Sequence, residues 1–410
     1  MEWMKGSSIL VFNCGSSSLG YKMFGWDSGE AAVLARGKAH RVGVTGAEES
    51  FLEHHGPEGE RRQVQPLPDH GAAAAAALEA LAADGLAVTG VGHRFVHGGE
   101  RFAGATFVDD ETYPLLQQCL PLAPIHNPAA MAAIEVARET VPQARQYVSF
   151  DSAFHATIPE VARTYALPKR LVERFGFRRY GFHGLSYEYV TAATLEYLQV
   201  PAAGSRMVAC HLGTGGSSVA AIADGRSVDT SMGYTPLPGL VMSTRAGDVD
   251  PMLAVYLMMV QGLRPAEAED LLNKRSGLLG VSRYSSDLRD LNENVGEGEG
   301  HDSSSRGLAV EAYVHRLRKY VGAYAAAMGG LDALVFTDDI GVSDAQVRAA
   351  VCQDMEWCGI HLDGEANAAA PRDQIARLTG PDSPVTALSV PTDEEAVIVR
   401  QGVELWRSAA

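Results

Sequence analysis

A chain of 410 residues is long enough for two or three domains at roughly 100–200 residues each, and 46% apolar with 20% charged residues is ordinary for a water-soluble globular protein. Its 34 lysines and arginines against 50 aspartates and glutamates leave a formal charge of −16. That charge argues against nucleic acid or a membrane surface as partner, so an anionic substrate must meet a local cluster of arginines.

The apolar run Ser8–Asn13 predicts a strand, and its core Ile9–Phe12 is too short for a signal segment or a membrane span. Gly15-Ser16-Ser17-Ser18 predicts a tight turn and Tyr21–Phe24 the returning strand. Ala72–Ala83 predicts a soluble helix closed by Asp84-Gly85. Ala87–Val91 predicts a short strand, followed by a glycine-flanked loop, Gly92 to Gly99, that carries Arg94. Asn127-Pro128 predicts a cap and first position for a helix over 129–140. Tyr147–Phe150 predicts a strand ending in Asp151.

The opening plan then returns: strand Met207–His211, small-residue turn Gly213–Ser218, strand Val219–Ile222, and a turn into strand Ser227–Thr230. One such unit per half suggests two related domains facing each other. Pro251–Gln261 is apolar enough to predict a buried helix, and 292–306, rich in Gly, Ser and acid, predicts a surface loop. Ser343-x-x-Gln346 predicts a capping box starting a helix that runs to about Trp357. Pro391 to Glu395 opens a last helix. Strands alternating with helices predict α/β layers. The five cysteines (14, 119, 210, 352, 358) include no C-x-x-C pair, so a disulfide framework or zinc site is not expected and a reducing cytoplasm is.

The two small-residue turns let backbone N–H groups converge on a phosphate. A plain hairpin is the ordinary alternative, but two such turns in equivalent places favour a phosphate clamp; neither is a Walker loop. Arg94, and Arg245 in Ser243 to Asp248, sit among small or glycine residues and could fork onto a carboxylate or phosphate, or be ordinary loop arginines. His183 lies in a tight turn, Tyr180-Gly181-Phe182-His183-Gly184. Asp151 ends its strand, a position suited to catalysis or to a helix cap. The acids Asp393, Glu394 and Glu395 fit a helix dipole first and a metal second.

Taken in order, these segments resemble the acetate kinase family of the acetate/sugar kinase–Hsp70–actin superfamily. The resemblance runs from Asn13-Cys14-Gly15 to Asp393-Glu394-Glu395 through GHRFVHGGERF (92–102), PLAPIHNP (121–128), FDSAFHATIPE (150–160), RRYGFHG (178–184), CHLGTGG (210–216), TRAGDVDP (244–251) and GLLGVSRYSSDLRD (277–290). It implies two ribonuclease-H-like (actin-type ATPase) domains, residues 1–151 with 394–410 and residues 152–393, and an active-site cleft between them. It also implies a homodimer that reversibly transfers a phosphoryl group between ATP and the carboxylate of acetate or another short-chain acid. By the same resemblance Arg94 and Arg245 hold carboxylate and phosphoryl group, His183 stabilises the transferring oxygens, and Asp151 orients the arginines or the metal shell. Asn13 and Glu394 position Mg²⁺, with Mn²⁺ as substitute. Val96, Leu122, Phe182 and Pro236 line the pocket for the substrate's methyl group. His211, Leu212, Gly213, Thr214 and Gly215, then Asp287, Leu288 and Arg289, then Asp339, Ile340 and Gly341, form the nucleotide side. One methylene is worth only about 1–3 kcal/mol in such a pocket, so acetate and propionate are not told apart here.

The chain departs from the family pattern in one role. Gly20 stands where a lysine is usual, although Lys22 points to the same side of the strand. Tyr187 replaces a usual histidine, and Ser243 and Ala246 flank Arg245. Thr337-Asp338-Asp339-Ile340-Gly341-Val342-Ser343 stands where Thr-Gly-Gly-Ile-Gly-Glu-Asn is usual. Two aspartates bring volume and negative charge to a place where a nucleotide approaches the backbone. ATP that tolerates the change, and pyrophosphate or phosphate as donor with a closed adenosine pocket, both stay open at this point. A non-catalytic ligand-binding or regulatory protein on the same scaffold is a third reading; against it, all of Asn13, Arg94, Asp151, His183, Arg245 and Glu394 are present.

Overall fold

Ile9, Leu10, Val11 and Phe12 are all fully buried. An apolar run with no polar alternation needs cover on both faces, so strand β1 (Ser7–Cys14) belongs in the interior of a sheet. The computed structural model describes residues 7–27, 30–44, 46, 48–292 and 303–409. The chain divides into two compact units: one runs to Phe154 and takes back the segment from Asp393 onward, the other is His155–Thr392.

The first unit holds an eight-stranded sheet in the order β5-β4-β3-β2-β1-β6-β8-β7. Its strands are β1, β2 (Ser18–Asp27), β3 (Glu30–His40), β4 (Phe51–Gly56), β5 (Gly59–Val64), β6 (Gly90–Phe95), β7 (Thr106–Phe107) and β8 (Arg145–Phe150). β2 turns back antiparallel on β1, pairing Gly20 with Asn13 and Lys22 with Val11, while β6 and β8 run parallel to β1. Leu10 and Phe12 face a layer of small residues, Ala73, Ala74 and Ala77 from helix His70–Ala83 and Ala133 and Ala137 from helix Asn127–Thr140. The opposite face takes helix Glu394–Ser408. That helix lies very close: a Cβ on Gly92 would sit 2.7 Å from Ile398, and one on Gly402 would sit 2.3 Å from the Tyr147 ring. Tyr147 donates to the Ile398 carbonyl at 2.9 Å, which fixes the helix against β8.

The second unit holds a six-stranded sheet, β11-β10-β9-β12-β14-β13, from β9 (Arg206–Gly213), β10 (Gly216–Ala223), β11 (Arg226–Thr230), β12 (Ala333–Thr337), β13 (Ala376–Arg377) and β14 (Thr386–Ser389). β9, β10 and β11 form an antiparallel meander, and β12 and β14 continue parallel to β9. The first unit's β1, β2, β3, β6 and β8 have the same order and senses. Each unit thus repeats the ribonuclease-H-like arrangement. Helix Ser303–Ala327 covers this sheet with Tyr313, Leu317, Val321 and Tyr324.

Several predicted elements shift. Arg94 is not in a loop after a strand over 87–91; it lies within β6. β10 starts at Gly216, so the second small-residue turn is only Thr214-Gly215. Asn127 is inside its helix and caps nothing: its buried amide accepts from the His97 N–H and donates to the His97 and Cys119 carbonyls, holding two loops together. Ser343 ends a short helix, Asp338–Ser343, and Asp344 caps the next, Ala345–Cys352, by accepting from Gln346 and Val347 N–H. The segment 292–306 is helical at both ends, to Asn292 and from Ser303; the rest lies outside the described residues. The largest correction concerns helix Pro251–Met259, which buries none of its residues despite its composition.

Candidate active site

Three parallel strands end side by side in the first unit, and ligand sites in open α/β sheets gather at such carboxyl ends. Asn13 comes from the end of β1, Arg94 from β6, Asp151 from the residue after β8, and Glu394 from the first turn of the C-terminal helix. The structure brings all four into one hydrogen-bonded group. The Arg94 guanidinium donates through Nε to both Asp151 oxygens at 3.1 Å and through Nη2 to Oδ2 at 2.6 Å. Its Nη1 donates to Asn13 Oδ1 at 3.0 Å and lies 3.3 Å from Glu394 Oε2. Burial alone would pull Arg94 down, but Asp151 and Glu394 outweigh it and push its pKa above the ordinary value, so it stays charged.

The Asn13 amide donates to Glu394 Oε2 at 3.3 Å and to Glu395 Oε1 at 3.0 Å. Lys22 closes the group, 3.1 Å from both Asp393 and Glu395. Burial pushes the Glu395 carboxyl up, yet Lys22 and Asn13 prevail and hold it below its usual value. Among the described residues no three acids, histidines or cysteines cluster to cage a metal unaided. The oxygens of Asn13 and Glu394 fit a hard cation such as Mg²⁺ that keeps waters and shares phosphate oxygens. Val96 is buried just beyond β6, and Leu122 is half-buried against the apolar cluster that includes Phe95 and Phe150.

In the second unit His183 precedes helix Gly184–Leu198 with a left-handed φ of 60°. A non-glycine residue held there is strained, and such strain concentrates at functional positions. Its Nδ1 lies 2.8 Å from Ser218 Oγ, and its ring stacks on His211 at 4.0 Å. Arg245 meets it over the second turn: a Cβ on Gly216 would sit 2.9 Å from Arg245 Nη1 and 3.8 Å from His183 Nε2. Unlike Arg94, Arg245 makes no ion pair among the described residues; Met242 Sδ, 3.8 Å away, is its hydrogen-bond partner. Burial accordingly pulls its pKa below the ordinary value. A guanidinium desolvated in this way has donors to spare for an anion. Phe182 is buried and its carbonyl accepts from His155 Nε2 at 2.9 Å; Pro236 is half-buried in the same unit.

The loop at the end of β9 is occupied by the two unexpected aspartates. Asp339 accepts from the Thr214 N–H at 3.0 Å and from the Thr214 hydroxyl at 2.8 Å. Asp338, itself left-handed at φ 64°, places Oδ2 3.1 Å from His211 Nε2. A Cβ on Gly213 would come within 2.1 Å of that oxygen. Ser243 donates to the Thr214 carbonyl at 3.0 Å and ties the Arg245 segment to the same turn. Leu212 is buried, Gly215 borders open space, and Ile340 packs half-buried on the core. The Gly341 carbonyl accepts from Arg348 at 3.0 Å. Asp287 pairs with the exposed Arg289, which holds the carboxyl below its usual range, while Leu288 is buried in the core.

Some site residues escape a reading of the chain. Glu395 does as much as Glu394 to bind Asn13. Ser186, one helical turn after His183, accepts or donates at His211 Nδ1 at 2.9 Å, and that spacing was a usable signal. Arg348, almost wholly buried, puts its guanidinium on the carbonyls of Gly341, Val342 and Asn367, and nothing in its neighbourhood along the chain marks it.

The sequence model of the Acetokinase family matches residues 8–400. An acetate kinase of Carboxydothermus hydrogenoformans is 41% identical over 404 residues, covering 97% of this chain and 98% of that protein. The crystal structure of Porphyromonas gingivalis acetate kinase superposes with a TM-score of 0.87 at 40% identity, covering 98% of this chain and 100% of that one. A propionate kinase from Francisella tularensis subsp. tularensis superposes at 0.86 with 31% identity, covering 96% and 98% of the two chains. No helix among the described residues is long and apolar enough to cross a membrane.

Proposed function

The chain belongs to the acetokinase family, a phosphotransferase family with a carboxyl group as acceptor, and we propose that it moves a phosphoryl group reversibly between ATP and the carboxylate of acetate or another short-chain acid. The observation that carries this reading is Arg245, a half-buried guanidinium without an acid partner among the described residues, facing the same small space as His183 above Gly216. A carboxylate oxygen attacks the terminal phosphorus, the bond from phosphorus to the leaving phosphate oxygen breaks, and the reverse reaction retraces both changes. The nucleophile is already an anion, so no proton has to be removed, and charge neutralisation with positioning suffices. Asp151 is accordingly committed to Arg94 rather than poised as a base. Arg94 takes the acceptor carboxylate; Arg245 and His183 take the oxygens of the moving group. Val96, Leu122, Phe182 and Pro236 receive the acyl chain. Asn13 and Glu394 would hold Mg²⁺ or Mn²⁺, which neutralises phosphate charge when bound.

A second reading, pyrophosphate or phosphate as the donor, is favoured by the carboxylates of Asp338 and Asp339 on the loop of His211, Gly213 and Thr214. Their charge opposes the phosphates of a nucleotide and their bulk fills its approach. Supplying acetate and Mg²⁺ with either donor, and trapping acyl phosphate with hydroxylamine, separates the readings. If the aspartates exclude nucleotide, Asp338→Gly with Asp339→Gly lowers the KM for ATP by about tenfold or more, as expected for removal of two like charges. Full turnover of the unaltered enzyme with ATP, and no change in the double variant, would eliminate pyrophosphate.

A homodimer is supported by helix Pro251–Met259 and its margin, where Met252, Leu253, Tyr256, Met259 and Val260 all stand exposed, Met259 by 80%. Soluble proteins rarely leave such a patch bare. Met259→Glu together with Leu253→Glu is expected to give monomers by light scattering, and an unchanged mass would remove this helix from the interface. The five cysteines are free thiols, which supports a cytoplasmic setting.

A further inference from the structure

Tyr187 stands on helix Gly184–Leu198, one turn beyond His183, fully buried. Its hydroxyl lies 2.6 Å from Ser218 Oγ, and Ser218 Oγ lies 2.8 Å from His183 Nδ1. Ser218 is itself fully buried within β10, so two buried hydroxyls, shielded from water, lead to the half-buried ring of His183. We propose that Tyr187, acting through Ser218, is a positioning residue that keeps the proton of His183 on Nε2, the nitrogen facing the space shared with Arg245.

The direction of the chain follows from donor and acceptor capacity. A phenol is a stronger hydrogen-bond donor than an aliphatic hydroxyl, so Tyr187 gives its O–H to Ser218 Oγ. Ser218 then directs its single proton to His183 Nδ1, which must be an acceptor. A neutral imidazole that accepts at Nδ1 carries its hydrogen at Nε2. Nε2 is the atom nearer Gly216 and Arg245, so the ring presents an N–H donor beside the guanidinium without adding a second full charge. With Ser218 released from Tyr187, its hydroxyl can turn and accept from an Nδ1–H instead, and Nε2 becomes a lone pair that repels phosphoryl oxygens. The ring of Tyr187 also packs edge-on to His155 at 5.6 Å and His211 at 6.2 Å, contacts that a phenylalanine keeps.

The role rests on His183 meeting the phosphoryl group, so the test reads the tautomer apart from the activity. The full-length protein, labelled with ¹⁵N-histidine, is compared in long-range proton–nitrogen spectra as wild type, Tyr187→Phe, Ser218→Ala and Tyr187→His, with His183→Gln assigning the signals. Wild type is expected to show His183 protonated at Nε2. Tyr187→Phe is expected to shift it toward a mixture and to lower kcat roughly fivefold, the worth of one hydrogen bond, with KM for acetate nearly unchanged. Ser218→Ala cuts the same chain from the strand and is expected to shift the tautomer too, whereas Tyr187→His retains a ring N–H donor and is expected to restore both readouts. Identical His183 signals in wild type, Tyr187→Phe and Ser218→Ala overturn the relay. A shifted tautomer with unaltered kcat overturns the positioning role and traces the failure to the reading of His183 rather than to the hydrogen-bond chain.

Discussion

Replacing Arg245 with alanine is expected to lower kcat about a thousandfold while leaving the protein at least as stable as before. The activity loss follows from the charge it faces: a guanidinium that neutralises a migrating phosphoryl group is worth roughly 10³–10⁵ in rate. The stability expectation has the opposite sign because Arg245 is half-buried without an ion pair among the described residues, and desolvation already pulls its pKa down. Removing an uncompensated half-buried cation relieves a cost rather than breaking a bond. Thermal unfolding and acyl phosphate formation measured on the same preparation check both halves. A large drop in Tm would mean that Arg245 serves the fold, and near-normal kcat would remove it from the reaction.

Asp151→Ala is expected to fail in both respects. Asp151 has a side chain 1% exposed and accepts three hydrogen bonds from Arg94. Its loss strands the Arg94 guanidinium, with Glu394 and Asn13 left in contact with it. Breaking a buried pair from one side costs about 3–5 kcal/mol, which corresponds to a fall in Tm on the order of 10 °C for a unit of this size. Activity should fall at least a hundredfold, because Arg94 is no longer aimed. Asp151→Asn, which keeps one acceptor, is expected to recover part of the stability and little of the activity. A variant that unfolds like wild type would show that Asp151 does not hold Arg94 in place. The two arginines thus separate by their partners: one is fixed by an acid, and the other has no acid beside it among the described residues.

Much of this was legible along the chain because the site residues sit at element ends, where turn and cap chemistry leaves a mark. Asn13 follows an apolar run, Asp151 ends one, and Glu394 begins a helix after a proline, so their places in the fold were readable. Arg94 was harder: glycines on both sides suggested a loop, but those at 90 and 92 serve close packing on Trp406 and Ile398, and β6 continues through them. Helix Pro251–Met259 was misread because composition reports that a surface is apolar, not what covers it. Asp338 and Asp339 stood out only as odd residues; that one would grip His211 and the other Thr214 depends on β9 and β12 running side by side. Arg348 carries no local signature, since its acceptors are backbone carbonyls and an amide brought to it by tertiary structure.

The C-terminal helix that lies on β1, β6 and β8 also governs the order in which the protein can mature on the ribosome. The second unit is continuous and can close as soon as it has emerged; the first must wait, with the face around Gly92 and Tyr147 bare, until the helix after Asp393 has followed it. A nascent chain therefore carries one sheet half-dressed throughout the synthesis of the second unit, a state in which chaperones and proteases compete for it. Glu394 arrives on that same helix, so a chain that has not yet reached it lacks the complete set of groups around Arg94.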